Sequence, residues 1–305
     1  MTYVGTKRCI DIAEPKKARV TLKNGEKMPV LGFGTYKMSD KHVLEAALET
    51  AISNGYRLID TASTYDNEDL IGDALKNVLA KLQINRNELF IVSKLSPKEH
   101  GRDKVKKAVT TSLKKLQLNY LDMFLIHWPG AGNLKPNHPQ NKTLRKESWH
   151  ELESCVRDGL VKSIGVSNYT FPHLENLYSY CSIEPSVNQV EFHIHYRQKD
   201  DIINFCSNRN LLLQAYGSFG GEEGANVLLN DPTAVQVAQD LKVTVPQLLL
   251  RWSLQKGFAV IPKSSKPERI QENSQLNFVI PPEKMKALDG ITTRKKYDWN
   301  PDDIV

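Results

Sequence analysis

The sequence predicts an α/β chain wound as a (β/α)8 TIM barrel, with an N-terminal β-hairpin and long loops over the C-terminal mouth. Three observations carry this. Helical and strand-like patterns alternate about eight times along 305 residues, a length at which an α/β barrel commonly forms one domain. The strand segments are continuous apolar runs, as in a parallel sheet buried on both faces. A doubly wound sheet, the rival fold, usually carries a glycine-rich turn after its first strand, and "DTASTYDNE" at 60–68 contains no glycine.

The elements follow in order. In "VTLKNGEKMPVLGFGTY" two short apolar runs flank Asn24-Gly25, a pair suited to the positive φ angles of a tight hairpin turn. Asp40 is placed to cap a helix with Val43, Leu44, Ala47, Leu48 and Ala51 on one face and Gly55 as its stop. "RLID" follows as the first strand of the repeat. Then "DLIGDALKNVLAKL" precedes "LFIVSKL", "DKVKKAVTTSLKKLQL" precedes "MFLIHW", and "LRKESWHELESCVRDG" precedes "VKSIGVSN". "PHLENLYSY" leads to "VNQVEFH", "QKDDIINFCSNRN" to "LLLQAY", and "TVPQLLLRWSLQKG" to "FAVIPKS". The helix "KPERIQENS" leads into a weaker apolar run, "NFVI". Segments 129–142, 217–231 and 294–305 are rich in turn residues and read as mouth loops, where barrels place their function.

Residues 1–19 read as a flexible extension and 20–305 as a single barrel domain. The extension mixes Lys and Arg with Asp11 and Glu14, unlike a secretory or transit leader. No stretch approaches about 18 uninterrupted apolar residues, so no membrane span is expected. Four scattered cysteines without a CxxC pair argue against a disulfide framework or thiolate metal site. The net charge of +6 is spread among acids, which disfavours a nucleic-acid footprint and still allows a cationic pocket for a phosphorylated small molecule. The expectation is a cytoplasmic monomer that meets a small molecule, with neither nucleic acid, membrane nor metal.

At the strand ends stand Asp60, Lys94, His127, Ser167-Asn168, Gln189, Tyr216 and Lys263. Taken singly, Asp60 reads as a helix cap and His127 as a hydrogen-bonded core histidine. An acid, a lysine and a histidine on three successive strand ends weaken that reading, since burial of each charge is costly without partners. Together they suit proton transfer. Lys94 would bring the proton of a neighbouring phenol, Tyr65, within useful range. Asp60 would hold Lys94 protonated, and His127 would donate to a carbonyl oxygen gaining charge. Such a site has no electron source, so reduction needs a hydride carrier. Ser167, Asn168 and Gln189 suit a carboxamide and Tyr216 a flat ring, the needs of a nicotinamide. In "IPKSSKPERIQEN", Lys263, Ser264, Lys266 and Arg269 suit a phosphate; alone the cluster would read as a solvated surface.

From about residue 20 to the C-terminal tail the chain resembles the aldo-keto reductases, through "GYRLIDTASTYDNE", "IVSKL", "FLIHWP", "IGVSNY", "NQVEFH" and "IPKSSKPERIQEN". The resemblance implies a catalytic tetrad of Asp60, Tyr65, Lys94 and His127, with Tyr65 as the acid in carbonyl reduction. It implies cofactor contacts by Gly34, Thr35, Asp60, Ser167, Asn168, Gln189, Tyr216, Gly217, Ser218, Phe219, Lys263, Ser264, Ser265, Arg269, Glu272 and Asn273, with NADPH (NADP+ when oxidised) favoured over NADH. His127, where family members that reduce steroid double bonds have glutamate, implies a carbonyl reductase. Two departures stand out: Gly217-Ser218-Phe219-Gly220 differs from the family's usual Ser-containing run, with Ser218 as the replacement hydroxyl, and Lys266 stands where a small hydroxyl residue is common. Substrate choice is expected from Tyr36, Tyr65, His127, Trp128 and the tail residues Tyr297 and Trp299, an aromatic pocket suited to aldehydes and hydrophobic ketones.

Two rival readings remain. His193 and His195, two apart in "FHIHY", would suit a metal-dependent barrel hydrolase with Asp60, Lys94 and His127 completing the site. A nucleotide-binding barrel with a structural or regulatory role is the non-catalytic alternative.

Overall fold

The computed structural model describes residues 13–305. Two antiparallel strands, β1 (Arg19–Thr21) and β2 (Lys27–Pro29), precede eight parallel ones: β3 (Gly32–Gly34), β4 (Leu58–Asp60), β5 (Phe90–Leu95), β6 (Leu121–Ile126), β7 (Val161–Ser167), β8 (Val187–Glu191), β9 (Leu212–Tyr216) and β10 (Ala259–Val260). Each of β3 to β10 pairs with the next in chain order. A bridge between Leu31 and Val260 and the bond from the Val260 amide to the Val30 carbonyl (2.8 Å) bring the two ends together, so the barrel is nearly closed. The strands are buried almost throughout, which explains their unbroken apolar runs.

The hairpin is present, with a different turn from the tight one expected. Gly25 has φ +89°, while Asn24 is absent from the positive-φ residues. The Leu22 carbonyl accepts from Gly25 (3.0 Å) and the Leu22 amide donates to the Glu26 carbonyl (2.8 Å). This three-residue loop needs one left-handed position, and glycine takes it. Asn24 instead uses its side chain: Nδ2 donates to the Lys162 carbonyl at 2.9 Å. Lys162 is the second residue of β7, so the hairpin lies at the N-terminal end of the barrel, opposite the mouth.

The strand count also shifts by one. "GFG", grouped with the hairpin in the sequence reading, is β3, the first barrel strand, and "NFVI" at 277–280 is not a strand. Two glycines around one phenylalanine give little strand signal, and the short apolar run opposed it. Asp40 does cap the helix Lys41–Ser53 by accepting from the Val43 amide (2.9 Å), a contact worth about 1 kcal/mol. Its buried face holds Leu44, Ala47, Leu48, Ala51 and Ile52, whereas Val43 is exposed. The expected mouth loop 217–231 contains a helix, Gly221–Leu229, followed at once by Pro232–Leu241.

Of the expected extension, residues 1–12 lie outside the described residues. Residues 13–18 form bends and a turn in which Pro15 is buried, and Arg19 opens β1. Among the described residues no helix is long and apolar enough to cross a membrane, and Cys155, Cys181 and Cys206 are free.

Candidate active site

Register explains why two charges meet inside the barrel. Asp60 pairs with Val92 across β4 and β5, and Lys94, two residues further along β5, therefore points to the same face. The Lys94 Nζ lies 2.6 Å from Asp60 Oδ1 and donates to the Thr61 carbonyl at 2.9 Å. Both side chains are buried. The second Asp60 oxygen, Oδ2, accepts from Gln189 Nε2 at 2.8 Å, and the same nitrogen donates to Gln214 Oε1 at 2.9 Å. Gln189 therefore spends both side-chain N–H groups on the barrel interior.

Tyr65 ends a short helical turn, Ser63–Tyr65, directly after β4. Its phenolic oxygen is 3.4 Å from Lys94 Nζ, its ring 4.9 Å from Tyr36 and edge-on to His127 at 5.7 Å. Burial, then the Asp60 carboxylate, push the phenol well above its ordinary range. This corrects the expected downward pull of the ammonium: desolvation dominates at rest, and the phenol is firmly protonated. Burial likewise draws the Lys94 ammonium below its ordinary value, with Asp60 opposing. Burial and then Lys94 push the His127 imidazole well below its ordinary value, so it is neutral at pH 7. Thr64 Oγ1 lies 3.3 Å from its Nδ1.

The remaining candidates divide by location. Ser167 Oγ donates to the Gln189 carbonyl (2.9 Å), and Asn168, in the left-handed region at φ 62°, donates to the His127 carbonyl (3.0 Å). Tyr216 Oη donates to Asn168 Oδ1 at 2.7 Å, which fixes the ring. Thr35 Oγ1 donates to the Asp60 carbonyl (2.9 Å), and the Gly34 amide reaches the Pro262 carbonyl (3.0 Å). Asn67, buried, donates to the Thr35 and Met38 carbonyls and accepts from Thr61, tying the Tyr36 loop to the end of β4. Trp128 and Trp299 face one another at 5.8 Å.

Beyond β9, Gly217, Gly220 and Gly221 all have positive φ. Phe219 packs against the core, and Ser218 Oγ is buried and has no hydrogen-bond partner among the described residues. Lys263, Ser265, Lys266 and Arg269 are exposed, and among the described residues these three cations form no ion pair. Ser264 Oγ accepts from the Lys266 amide at 3.1 Å. Asn273 is buried, and the Glu272 carboxylate accepts from Thr244 Oγ1 at 2.6 Å. Lys37 Nζ and Glu222 Oε2, at 2.6 Å, join the Tyr36 loop to helix Gly221–Leu229.

The histidine pair has other work. His193 Nε2 bonds Glu191 Oε1 (3.0 Å), and His195 bonds Asp231 Oδ2 (3.0 Å) and Tyr297 Oη (3.0 Å). Their rings are 6.4 Å apart and nearly perpendicular. Among the described residues no group of three or more His, Cys, Asp or Glu is arranged to hold a metal ion.

Sequence reasoning passed over Thr61, Thr64, Gln214, Lys37, Glu222 and Glu191. Glu191 alone carried a signal, an acid at the end of an apolar strand, the same one that singles out Asp60.

A parallel eight-stranded barrel with polar side chains gathered at strand C-terminal ends has the layout of barrel enzymes. The profile of the Aldo/keto reductase family matches residues 30–293, and the chain belongs to this family of oxidoreductases. It is 40% identical over 295 residues to the rat (Rattus norvegicus) aldo-keto reductase family 1 member A1, covering 91% of this chain and 90% of the relative. It is 37% identical to the glyoxal reductase of Bacillus subtilis (strain 168), covering 95% and 98%. The crystal structure of an aldo-keto reductase from a Medee basin deep-sea metagenome library superposes with a TM-score of 0.84 at 35% identity, covering 93% of this chain and 98% of that one.

Proposed function

We propose that the protein is an NADPH-dependent reductase of aldehydes and ketones, with Tyr65 as proton donor. The observation that carries this is the line Asp60, Lys94, Tyr65, with spacings of 2.6 and 3.4 Å, beside a neutral His127.

The residues fit a phosphorylated dinucleotide. The buried, partnerless Ser218 Oγ sits at a glycine-rich turn, and Lys263, Lys266 and Arg269 present unpaired charge beyond β10. Arg269 and Lys263 would hold the adenosine phosphate; Ser167, Asn168 and the Gln189 carbonyl oxygen would hold the carboxamide, with Tyr216 beneath the ring. The cofactor supplies the hydride.

The chain's own residues supply the proton and the charge. Lys94 donates toward the Tyr65 oxygen, which leaves the phenolic hydrogen free for a substrate oxygen. As that proton leaves, a phenolate develops 3.4 Å from an ammonium, an attraction on the order of 5 kcal/mol at an effective dielectric of about 20. Burial holds the proton at rest, and the ammonium offsets the cost of releasing it. With Thr64 Oγ1 as the donor to His127 Nδ1, 3.3 Å away, the ring hydrogen would sit on Nε2, the neutral donor required by an oxygen gaining charge. Tyr36, Trp128 and Trp299 form an aromatic wall for the substrate.

The test is a panel of aldehydes and ketones followed by loss of reduced-nicotinamide absorbance, with NADPH and with NADH. Consumption of aldehydes with NADPH is expected. Tight nucleotide binding with no carbonyl reduced would overturn the reading.

A further inference from the structure

Among the described residues, the polar network at the end of β8 makes no hydrogen bond or ion pair with the tetrad or the phosphate cluster. Glu191, buried and last in β8, accepts from the Tyr297 amide (2.7 Å) and the Asp298 amide (3.2 Å) and pairs with Lys296. His193, in the loop after β8, holds the same carboxylate. His195 extends the grip: its carbonyl accepts from the Lys295 amide (2.9 Å) and its Nδ1 meets Tyr297 Oη, while Asp231 fixes its other nitrogen. The Tyr297 ring lies on Gly224, where a Cβ would stand 2.4 Å from ring carbon Cδ2. Only a residue without a side chain permits that contact.

Trp299 has no comparable anchor. It is 76% exposed, and its amide bonds to its neighbour Asp298. Its place against Trp128, the residue after His127, is thus set by the three residues before it.

We infer that Glu191, His195 and Gly224 form a socket for residues 295–298 and are positioning residues for substrate selectivity, holding Trp299 over the mouth to receive flat aromatic carbonyls. The selectivity half of this rests on the reductase reading; the socket itself does not. Glu191 acts through Trp299 and touches no reacting atom.

The test uses the full chain as Glu191→Gln, Gly224→Ala, Trp299→Ala and the double variants with Trp299→Ala. Alanine is a good helix former, so Gly224→Ala keeps its helix, and the added methyl runs into the Tyr297 ring. Hydrogen exchange at the Tyr297 and Asp298 amides is expected to be slow in the parent and fast in both socket variants, whatever the activity. KM for a planar aromatic aldehyde is expected to rise about tenfold, with KM for a two-carbon dialdehyde and the NADPH Kd within about twofold. In the Trp299→Ala background the socket variants should add little. Unchanged exchange in both socket variants would overturn the socket. Full additivity with Trp299→Ala, or equal KM increases for both aldehydes, would overturn its role in selectivity. A parent protein that reduces no carbonyl would sink the reductase reading while the exchange measurement still decides the socket.

Discussion

The Lys94 ammonium stands 3.4 Å from the Tyr65 phenolic oxygen. Phenylalanine at position 65 removes the proton and keeps the ring contacts to Tyr36 and His127. Tyr65→Phe is expected to lower kcat about 10²- to 10⁴-fold and to leave NADPH affinity within about twofold, as read by stopped-flow and fluorescence titration. Retained turnover would count against Tyr65 as the acid.

The Asp60–Lys94 pair is buried on both sides. Lys94→Met strands a carboxylate in the barrel interior, a change expected to cost about 3–5 kcal/mol, whereas the double variant Asp60→Asn/Lys94→Met removes both charges and should recover part of that loss. Urea unfolding of the parent, Asp60→Asn, Lys94→Met and the double variant checks this. A double variant as unstable as the sum of the singles would mean that the two charges do not compensate one another.

Arg269 is exposed beyond β10 and lacks an ion pair among the described residues. Arg269→Ala should weaken NADPH about tenfold or more and NADH little if the guanidinium meets the phosphate that only the former carries. Equal weakening of both nucleotides in a calorimetric titration would place Arg269 elsewhere.

Acid should weaken the Glu191 socket as pH falls toward 2. Burial opposes ionisation of Glu191, but the His193 bond and Lys296 outweigh it and bring the carboxyl down to about 2. Its folded value lies below the unfolded one, so its contribution is fully present above about pH 4.3 and is lost as pH falls toward 2. His193, pushed down by burial, acts in the same direction, because the unfolded chain takes up its proton first. Glu191→Gln is therefore expected to flatten the acid limb of a stability-against-pH curve between about pH 4.3 and 2. An unchanged slope would show that the group is not depressed in the folded state.

The barrel was legible because burying both faces of a parallel sheet demands apolar runs, and each run ended where a polar residue began. Asp60, Lys94 and His127 stand out for that reason. The turn at Asn24-Gly25 and the identity of the first strand were misread, because Gly32 and Gly34 carry no side-chain pattern and because Asn24 serves Lys162, 138 residues away. The helix at 221–229 hid behind its glycines, one of which is required by Tyr297.

The sequence alone determined the periodicity, the order of strands and helices, and the polar residues at strand ends, since these follow from local pattern and from the cost of burying charge. Tertiary structure decided which of those residues meet. The link between Asp60 and Gln189 depends on the curvature of the sheet, that between Lys37 and Glu222 spans 185 residues, and Glu191 finds Lys296 only because the tail returns to the mouth. It also decided how firmly the Tyr65 phenol holds its proton, since desolvation there pushes it well above its ordinary range, an effect that depends on how many protein atoms surround the group and on no feature of its neighbours in sequence.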